Sequence, residues 1–228
     1  MKVIALDLEQ TLISNAVSQI PRPLLYEFLI SCEELAARIV IFTAVPEALF
    51  RRIATLLVEE KSAPEWFESV EYIAWEGATK NLNFINMSKD DQAILIDDFE
   101  KYVHPGQESN WIKVKPFVAP YSETDSELFR VYQTLHKRLK IYSNENFPNL
   151  IEENSYQDVD VTLENWKTAK ISYAATELMN GDREAANRWL LTPLSIFGNA
   201  SPFDHAKSKT GEKDVMNLIG RITHGVFS

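Results

Sequence analysis

Three short apolar runs in the first hundred residues each stop at a polar or acidic residue. Val3-Ile4-Ala5-Leu6 ends at Asp7, Ile39-Val40-Ile41-Phe42 at Thr43, and Ala93-Ile94-Leu95-Ile96 at Asp97-Asp98. Runs this apolar and this short predict strands buried on both faces. Between them the apolar period lengthens to that of a helix. Pro23 to Arg38 places Leu24, Leu25, Phe28, Leu29, Leu35 and Ala36 at helical spacing behind a proline suited to a helix start, and Pro46 to Lys61 repeats the pattern. Val70 to Ala74 reads as short and extended, and Ser122 to Tyr142 as a charged amphipathic helix. Strands alternating with helices imply a Rossmann-like, mostly parallel sheet with helices on both faces.

The pattern changes after Tyr142. Ser143 to Val161 is rich in Asn, Glu, Asp and Ser and lacks a clear period, so it reads as a linker. From Thr162 the chain turns wholly helical. Trp166, Ala169, Ala174 and Leu178 lead to a stop at Asn180-Gly181; Asp182 then caps a helix carrying Ala185, Ala186, Trp189 and Leu190, and a last helix spans Gly211 to His224. The expected architecture is an α/β domain over 1–142, a linker over 143–161 and a small all-α domain over 162–228.

With 228 residues, 45% of them hydrophobic, the chain is long enough for one domain and a smaller companion. A formal net charge of -10 argues against a phosphate-backbone partner, which needs a basic footprint, so no nucleic acid is expected. Cys32, the single cysteine, has no disulfide partner within the chain and falls in a helical stretch, where it reads as a buried structural thiol. The N-terminal apolar run is too short for a signal-peptide core and no later stretch reaches the length of a membrane span, so the expected location is the cytoplasm, with no membrane partner.

The strand ends hold the chemistry. In a parallel sheet the C-terminal ends of the strands share one edge, so Asp7 with Glu9, Thr43 and Asp97 with Asp98 can meet although they are far apart in sequence. Lys80, a helix-like interval before the third cluster, completes the set. Together they offer a carboxylate nucleophile, a hydroxyl and an ammonium for phosphate oxygens, and further carboxylates for a hard cation. Alone, Thr43 would more often be a turn or helix-capping residue, Lys80 a solvated charge, and Asp98 a cap. Asp7 differs, because a carboxylate at a buried strand end is costly without a role. Other chemistries lack support: His104, His136, His205 and His224 show no paired metal spacing, and there is no glycine-rich P-loop.

The order Asp7-Leu8-Glu9-Gln10-Thr11, Thr43, Lys80, Asp97-Asp98, followed by Lys115-Pro116-Phe117, resembles the haloacid dehalogenase-like superfamily over roughly residues 1 to 120. Within it the chain is most similar to the capless phosphatases related to those acting on the RNA polymerase II C-terminal domain. The resemblance implies Mg²⁺, held by Asp7, Glu9, Asp97 and Asp98, and catalysis by Asp7, Glu9, Thr43 and Lys80. Asp7 would attack phosphorus to form an aspartyl-phosphate, Glu9 would protonate the leaving group and then activate water, and Thr43 and Lys80 would bind the phosphoryl group. One departure stands out. Glu9 occupies the place of the usual second Asp, and its extra methylene moves the proton donor by about an ångström. About 35 residues separate Asp7 from Thr43, and a similar number separate Thr43 from Lys80, which leaves no room for a cap domain. A cleft without a cap suits a phosphorylated macromolecule, such as a phosphoprotein, better than a small metabolite.

A second resemblance covers Ala174 to Ser228, through Gly181-Asp182-Arg183-Glu184-Ala185-Ala186, Arg188-Trp189-Leu190, Pro193, Gly198, Pro202-Phe203-Asp204 and Gly220-Arg221-Ile222-Thr223-His224-Gly225-Val226-Phe227-Ser228. This region is similar to the toxin-binding domain of the MbcA/ParS/Xre antitoxins, which implies a protein partner such as a toxin of the RES or a related class. Trp189, Leu190, Leu218 and Ile222 read as core, whereas Arg221, His224 and Phe227 read as partner-binding. Two functions follow. One is a Mg²⁺-dependent phosphohydrolase with an aspartyl-phosphate intermediate, carrying an antitoxin-type binding domain. The other is a non-catalytic, antitoxin-like protein that neutralises a toxin and keeps a degenerate phosphatase-fold scaffold. A third reading, homo-oligomerisation through the C-terminal domain, rests on the same resemblance.

Overall fold

The computed structural model describes residues 2–36, 38–87, 91–145 and 168–223. The chain divides into two units, Met1–Gln157 and Asp158–Ser228. In the first, five parallel strands lie in the order β3-β2-β1-β4-β5, with β1 at Lys2–Leu6, β2 at Arg38–Ile41, β3 at Glu71–Tyr72, β4 at Gln92–Asp97 and β5 at Trp111–Lys113. The helices are α1 (Leu25–Leu35), α2 (Glu47–Glu59) and α3 (Glu127–Glu145). This is the Rossmann-like parallel fold that the alternating pattern implies.

The central strand β1 is flanked by β2 and β4, and the direction in which strands are added reverses there, which makes its C-terminal end a topological switch point. Val3, Ile4, Ala5 and Leu6 are all fully buried, so both faces of β1 are covered. On one face Val3, Ala5, Val40, Phe42, Ala93 and Leu95 pack with Ile73, Leu82 and Ile85, so a 3₁₀ turn at Leu82–Phe84 covers part of this layer in place of a regular helix. That detail brings Lys80 to the sheet. Helices α1 and α3 pack on each other, and α2 buries Phe50, Ile53, Ala54 and Leu57 at helical spacing.

Several boundaries differ from the sequence reading. Helix α1 begins at Leu25 because Leu24 has left-handed backbone torsions (φ 68°), and it ends at Leu35 because Ala36 is extended. Helix α3 begins at Glu127 instead of Ser122, since Ser122 to Asp125 form a turn whose Asp125 carboxylate accepts the Glu127 N–H. The same helix runs on through Ser143 to Glu145. Strand β5 has no counterpart in the sequence reading, because three residues are too few to show a period. The remainder of 143–161 falls outside the described residues, as do Trp166 and the segment before Thr168.

In the second unit α4 (Ala169–Leu178), α5 (Arg183–Leu191), α6 (Pro202–His205) and α7 (Lys209–Thr223) surround one core of Ile171, Ala174, Ala175, Ala186, Leu190, Val215 and Ile219. The turn between α4 and α5 follows the sequence: Asn180 and Gly181 take positive φ, and the Asp182 side chain accepts the Ala185 N–H. Leu190 is buried as expected, but α7 buries Val215 and Ile219 while Leu218 and Ile222 are half-buried. Val215 and Ile219 thus each precede the residue that the sequence suggested by three positions. Among the described residues no helix is long and apolar enough to cross a membrane.

Gly211 fixes how α6 meets α7. A Cβ there would lie 1.8 Å from the His205 carbonyl oxygen, a backbone atom that cannot swing aside. Nearby, His205 stacks on Phe197 at 4.4 Å and its Nε2 lies 3.2 Å from Asp214. A glycine-to-alanine change in an ordinary helix interior stabilises by about 1 kcal/mol. Gly211→Ala is expected instead to destabilise this unit by about 1–3 kcal/mol, the range for overpacking. Denaturant unfolding of the full chain followed by the tryptophan signal measures it, and an unchanged or raised midpoint would refute the close-contact argument.

Candidate active site

The register of the sheet builds the site. Leu6 pairs with Ile96, and the Asp7 N–H donates to the Ile96 carbonyl at 3.0 Å, so Asp7 lies beside Asp97 on the neighbouring strand. Side chains of in-register neighbours project to the same face. Both carboxylates therefore project to the face covered by the segment around Leu82 and Ile85. Lys80 reaches them from that segment: its Nζ lies 2.7 Å from Asp7 Oδ1 and 2.5 Å from Asp97 Oδ2. Lys80 and Asp97 are fully buried and Asp7 is 5% exposed.

These three charges depend on one another. Burial alone would lower the Lys80 ammonium, but Asp7 and Asp97 together hold it above its ordinary value. Burial, with the adjacent Asp7 charge, pushes the Asp97 carboxyl up to about 7 against the opposing pull of Lys80. Asp97 Oδ1 also accepts the Phe99 N–H at 2.7 Å. Asp98 is raised by burial and then by Asp7, and its Oδ1 accepts the Thr11 hydroxyl at 3.3 Å. Carboxylate oxygens of Asp7, Asp97 and Asp98 all lie within 4.8 Å of one another. An all-oxygen set of this kind fits a hard divalent cation.

Thr43 arrives from the end of β2, buried, with its Oγ1 accepting the Val45 N–H at 3.3 Å. Two aromatic side chains hold the loop behind it: the Trp75 indole N–H donates to the Thr43 carbonyl at 2.9 Å and the Tyr72 hydroxyl donates to the Val45 carbonyl at 2.7 Å. Glu9 lies elsewhere. Its Oε1 accepts the Ala16 N–H at 2.7 Å, so its carboxylate is part of the loop that follows β1 and is not among the three clustered carboxylates. Of the residues that the sequence nominated here, Asp7, Lys80, Asp97 and Asp98 come together, with Thr43 at the adjoining strand end.

The sequence reading missed Arg22. Its guanidinium is buried; it forms a two-point contact with Asp125 (2.8 and 3.0 Å), donates to the carbonyls of Gln10 and Thr11 (3.3 Å each) and lies 5.2 Å from the centre of the Phe117 ring. The Phe117 N–H also donates to the Gln10 carbonyl at 2.8 Å. Gln10 has φ 56°, so these bonds hold a tight, left-handed turn two residues beyond Asp7's neighbour Leu8. The Lys115-Pro116-Phe117 motif thus acts as a brace for that turn. The pattern Pro21-Arg22-Pro23 carried no periodic signal, and only the fold brings Asp125 to it.

A five-stranded parallel sheet with these acidic strand ends and a buried lysine between them is a haloacid dehalogenase-like phosphatase fold. The chain belongs to the NLI interacting factor-like phosphatases, whose family model matches residues 2–147. A second match, to the antitoxin Xre/MbcA/ParS C-terminal toxin-binding domain, covers residues 174–225. The same region is 41% identical over 59 residues to a protein named Antitoxin Xre from Yersinia enterocolitica, covering 26% of this chain and 40% of that protein. It is also 43% identical over 54 residues to Antitoxin Xre from Photorhabdus laumondii, covering 24% and 36%. The chain spans well under half the length of these curated relatives. Arg221 is exposed on α7, whereas His224 and Phe227 lie outside the described residues.

The Arg22 contact has a pH signature. Burial would raise the Asp125 carboxyl, but the hydrogen bonds and charge of Arg22 hold it below the usual carboxylate range. A depressed folded-state pKa contributes stability that is present above the unfolded value of about 3.9 and is lost as pH falls through the folded value. Asp125→Asn, which leaves the buried guanidinium without its counter-charge, is expected to cost about 2–3 kcal/mol at neutral pH. Urea unfolding at neutral pH and below about pH 4 checks this: the gap between wild type and variant should narrow in acid, and a gap independent of pH would exclude the ion pair as its source.

Proposed function

We propose that the first domain, residues 1–142, is a Mg²⁺-dependent phosphohydrolase that works through an aspartyl-phosphate on Asp7. Residues 143–161 then serve as a linker to a protein-binding domain at 162–228. The observation that carries this reading is the Asp7–Lys80–Asp97 arrangement at the switch point of the sheet, with Asp98 beside it. In the first step an Asp7 carboxylate oxygen attacks phosphorus, the bond from phosphorus to the substrate oxygen breaks, and the departing oxygen takes a proton from Glu9. In the second, water attacks the same phosphorus, gives its proton to Glu9, and the Asp7–phosphorus bond breaks to release phosphate. The buried Lys80 ammonium and the Thr43 hydroxyl hold phosphoryl oxygens. Asp7, Asp97 and Asp98 would hold Mg²⁺, which when bound neutralises charge on the phosphoryl oxygens.

Glu9 Oε1 accepts the Ala16 N–H within the loop after β1, and the proposed proton transfer assigns the carboxyl of this residue to the leaving group. The intervals between β1 and β2 and between β2 and β3 contain α1, α2 and short turns, which supports an uncapped site and a macromolecular substrate such as a phosphoprotein. Purified protein with Mg²⁺ is expected to hydrolyse p-nitrophenyl phosphate, and Asp7→Asn to abolish turnover. Phosphate release measured with and without a chelator tests both; hydrolysis that survives Asp7→Asn would eliminate Asp7 as the nucleophile.

A second reading draws on the antitoxin match and on the Glu9 side chain, which is engaged with a backbone amide: a cytoplasmic antitoxin-like protein that binds a toxin and retains the phosphatase fold as a scaffold. Both relatives are named antitoxins. Co-expression of the tagged full chain with the product of an adjacent gene should yield a co-purifying complex. Arg221→Glu, which reverses an exposed charge near the expected contact segment, should weaken it at least tenfold, as expected for loss of an arginine hot spot worth about 2 kcal/mol. Binding unaffected by Arg221→Glu would move the contact surface away from the end of α7.

A further inference from the structure

Lys80 is the middle residue of a three-residue segment whose two flanking side chains both end on one imidazole. Thr79 Oγ1 lies 2.8 Å from His104 Nδ1, and Asn81 Nδ2 lies 3.1 Å from His104 Nε2. The backbone agrees: the Lys80 N–H donates to the Tyr102 carbonyl at 2.7 Å, and the Gln107 N–H to the His104 carbonyl at 3.0 Å. Backbone donors then fix the orientation of both side-chain amides in the cluster. The Asn83 N–H donates to Asn81 Oδ1 and the Leu82 N–H donates to Gln107 Oε1, so those atoms are oxygens, and Gln107 Nε2 donates to Asn81 Oδ1 at 2.9 Å. The other terminal atom of Asn81 is therefore its amide nitrogen. It donates to His104, and His104 Nε2 must accept. The ring proton is left on Nδ1, facing the Thr79 hydroxyl.

We infer that His104, as the neutral Nδ1–H tautomer, is a positioning residue that fixes the Thr79-Lys80-Asn81 segment and hence the Lys80 ammonium between Asp7 and Asp97. It rests on the phosphoryl-transfer reading only for its catalytic consequence. Charging the ring would set Nε2–H against the Asn81 NH₂, two donors face to face, and would release one side of the segment.

The test uses the full chain, uniformly ¹⁵N-labelled. At about pH 8, above the ordinary imidazole range, the His104 ring should show the Nδ1–H pattern, and at the same pH His104→Ala should displace the Asn81 side-chain amide and Lys80 ammonium signals from their wild-type positions. An Nε2–H ring, or Asn81 and Lys80 signals that His104→Ala leaves in place, overturns the inference. In the p-nitrophenyl phosphate assay His104→Ala should lower kcat by about 10²-fold, the scale of a misplaced catalytic group. His104→Gln, which keeps a carbonyl acceptor for Asn81, should recover part of that loss. Wild-type kcat in His104→Ala also overturns it. A wild-type chain without hydrolysis counts against the phosphohydrolase reading alone, since the NMR result decides the role of His104 without turnover.

Discussion

The ammonium of Lys80 is the constraint on which the first unit turns. Parallel register puts Asp7 and Asp97 on adjacent strands with their carboxylates on one face, almost wholly out of water. Two carboxylates in such a place cannot both remain charged without a cation between them. Lys80 is that cation, and removing one member of such a buried set costs about 3–5 kcal/mol because the rest is left uncompensated. The same arrangement suits phosphoryl transfer, since a held positive charge beside a nucleophilic carboxylate is what a phosphoryl group would meet.

Everything near the site can be understood as holding backbone in place around that set. The turn after β1 is braced by Arg22, Phe117 and Asp125, the loop after β2 by Trp75 and Tyr72, and the approach to Lys80 by the Tyr102 carbonyl and the His104 cluster. Apart from Tyr72, which ends β3, these partners lie outside the strands. They come from loops that the sheet gathers at one edge, where side chains and backbone groups of distant segments can satisfy each other's hydrogen bonds. A loop-built site gains its precision from such bonds, because loops lack the repeating ladders of helices and strands.

The second unit follows a different logic. It buries a small cluster of alanines and aliphatic side chains, and with so little apolar surface its stability depends on close fit. Gly211 permits the close approach of α7 to the end of α6, and the Asp182 and Ser201 caps satisfy helix ends that would otherwise lose their partners in a short bundle. Its exposed Leu191 and Ile196 leave apolar area at its surface, in keeping with a region similar to toxin-binding domains.

The strands, the long helices and the acidic residues at the strand ends were legible in the chain itself, because apolar runs and helical periods are local properties that burial enforces residue by residue. The parallel fold followed from their alternation, and Asp7, Thr43, Lys80 and Asp97-Asp98 from their order. What the sequence left undetermined was anything that depends on a partner distant along the chain. It could not show that Glu9 turns to Ala16, that α7 buries Val215 and Ile219 ahead of Leu218 and Ile222, or that three residues at Trp111–Lys113 pair as an edge strand. Nor could it reveal Arg22 with Asp125 or His104 with Thr79 and Asn81, since a hydrogen bond between residues separated by 103, 25 or 23 positions leaves no periodic trace. Hydrophobic pattern is written locally; polar satisfaction is settled only once the sheet has brought its loops to one edge.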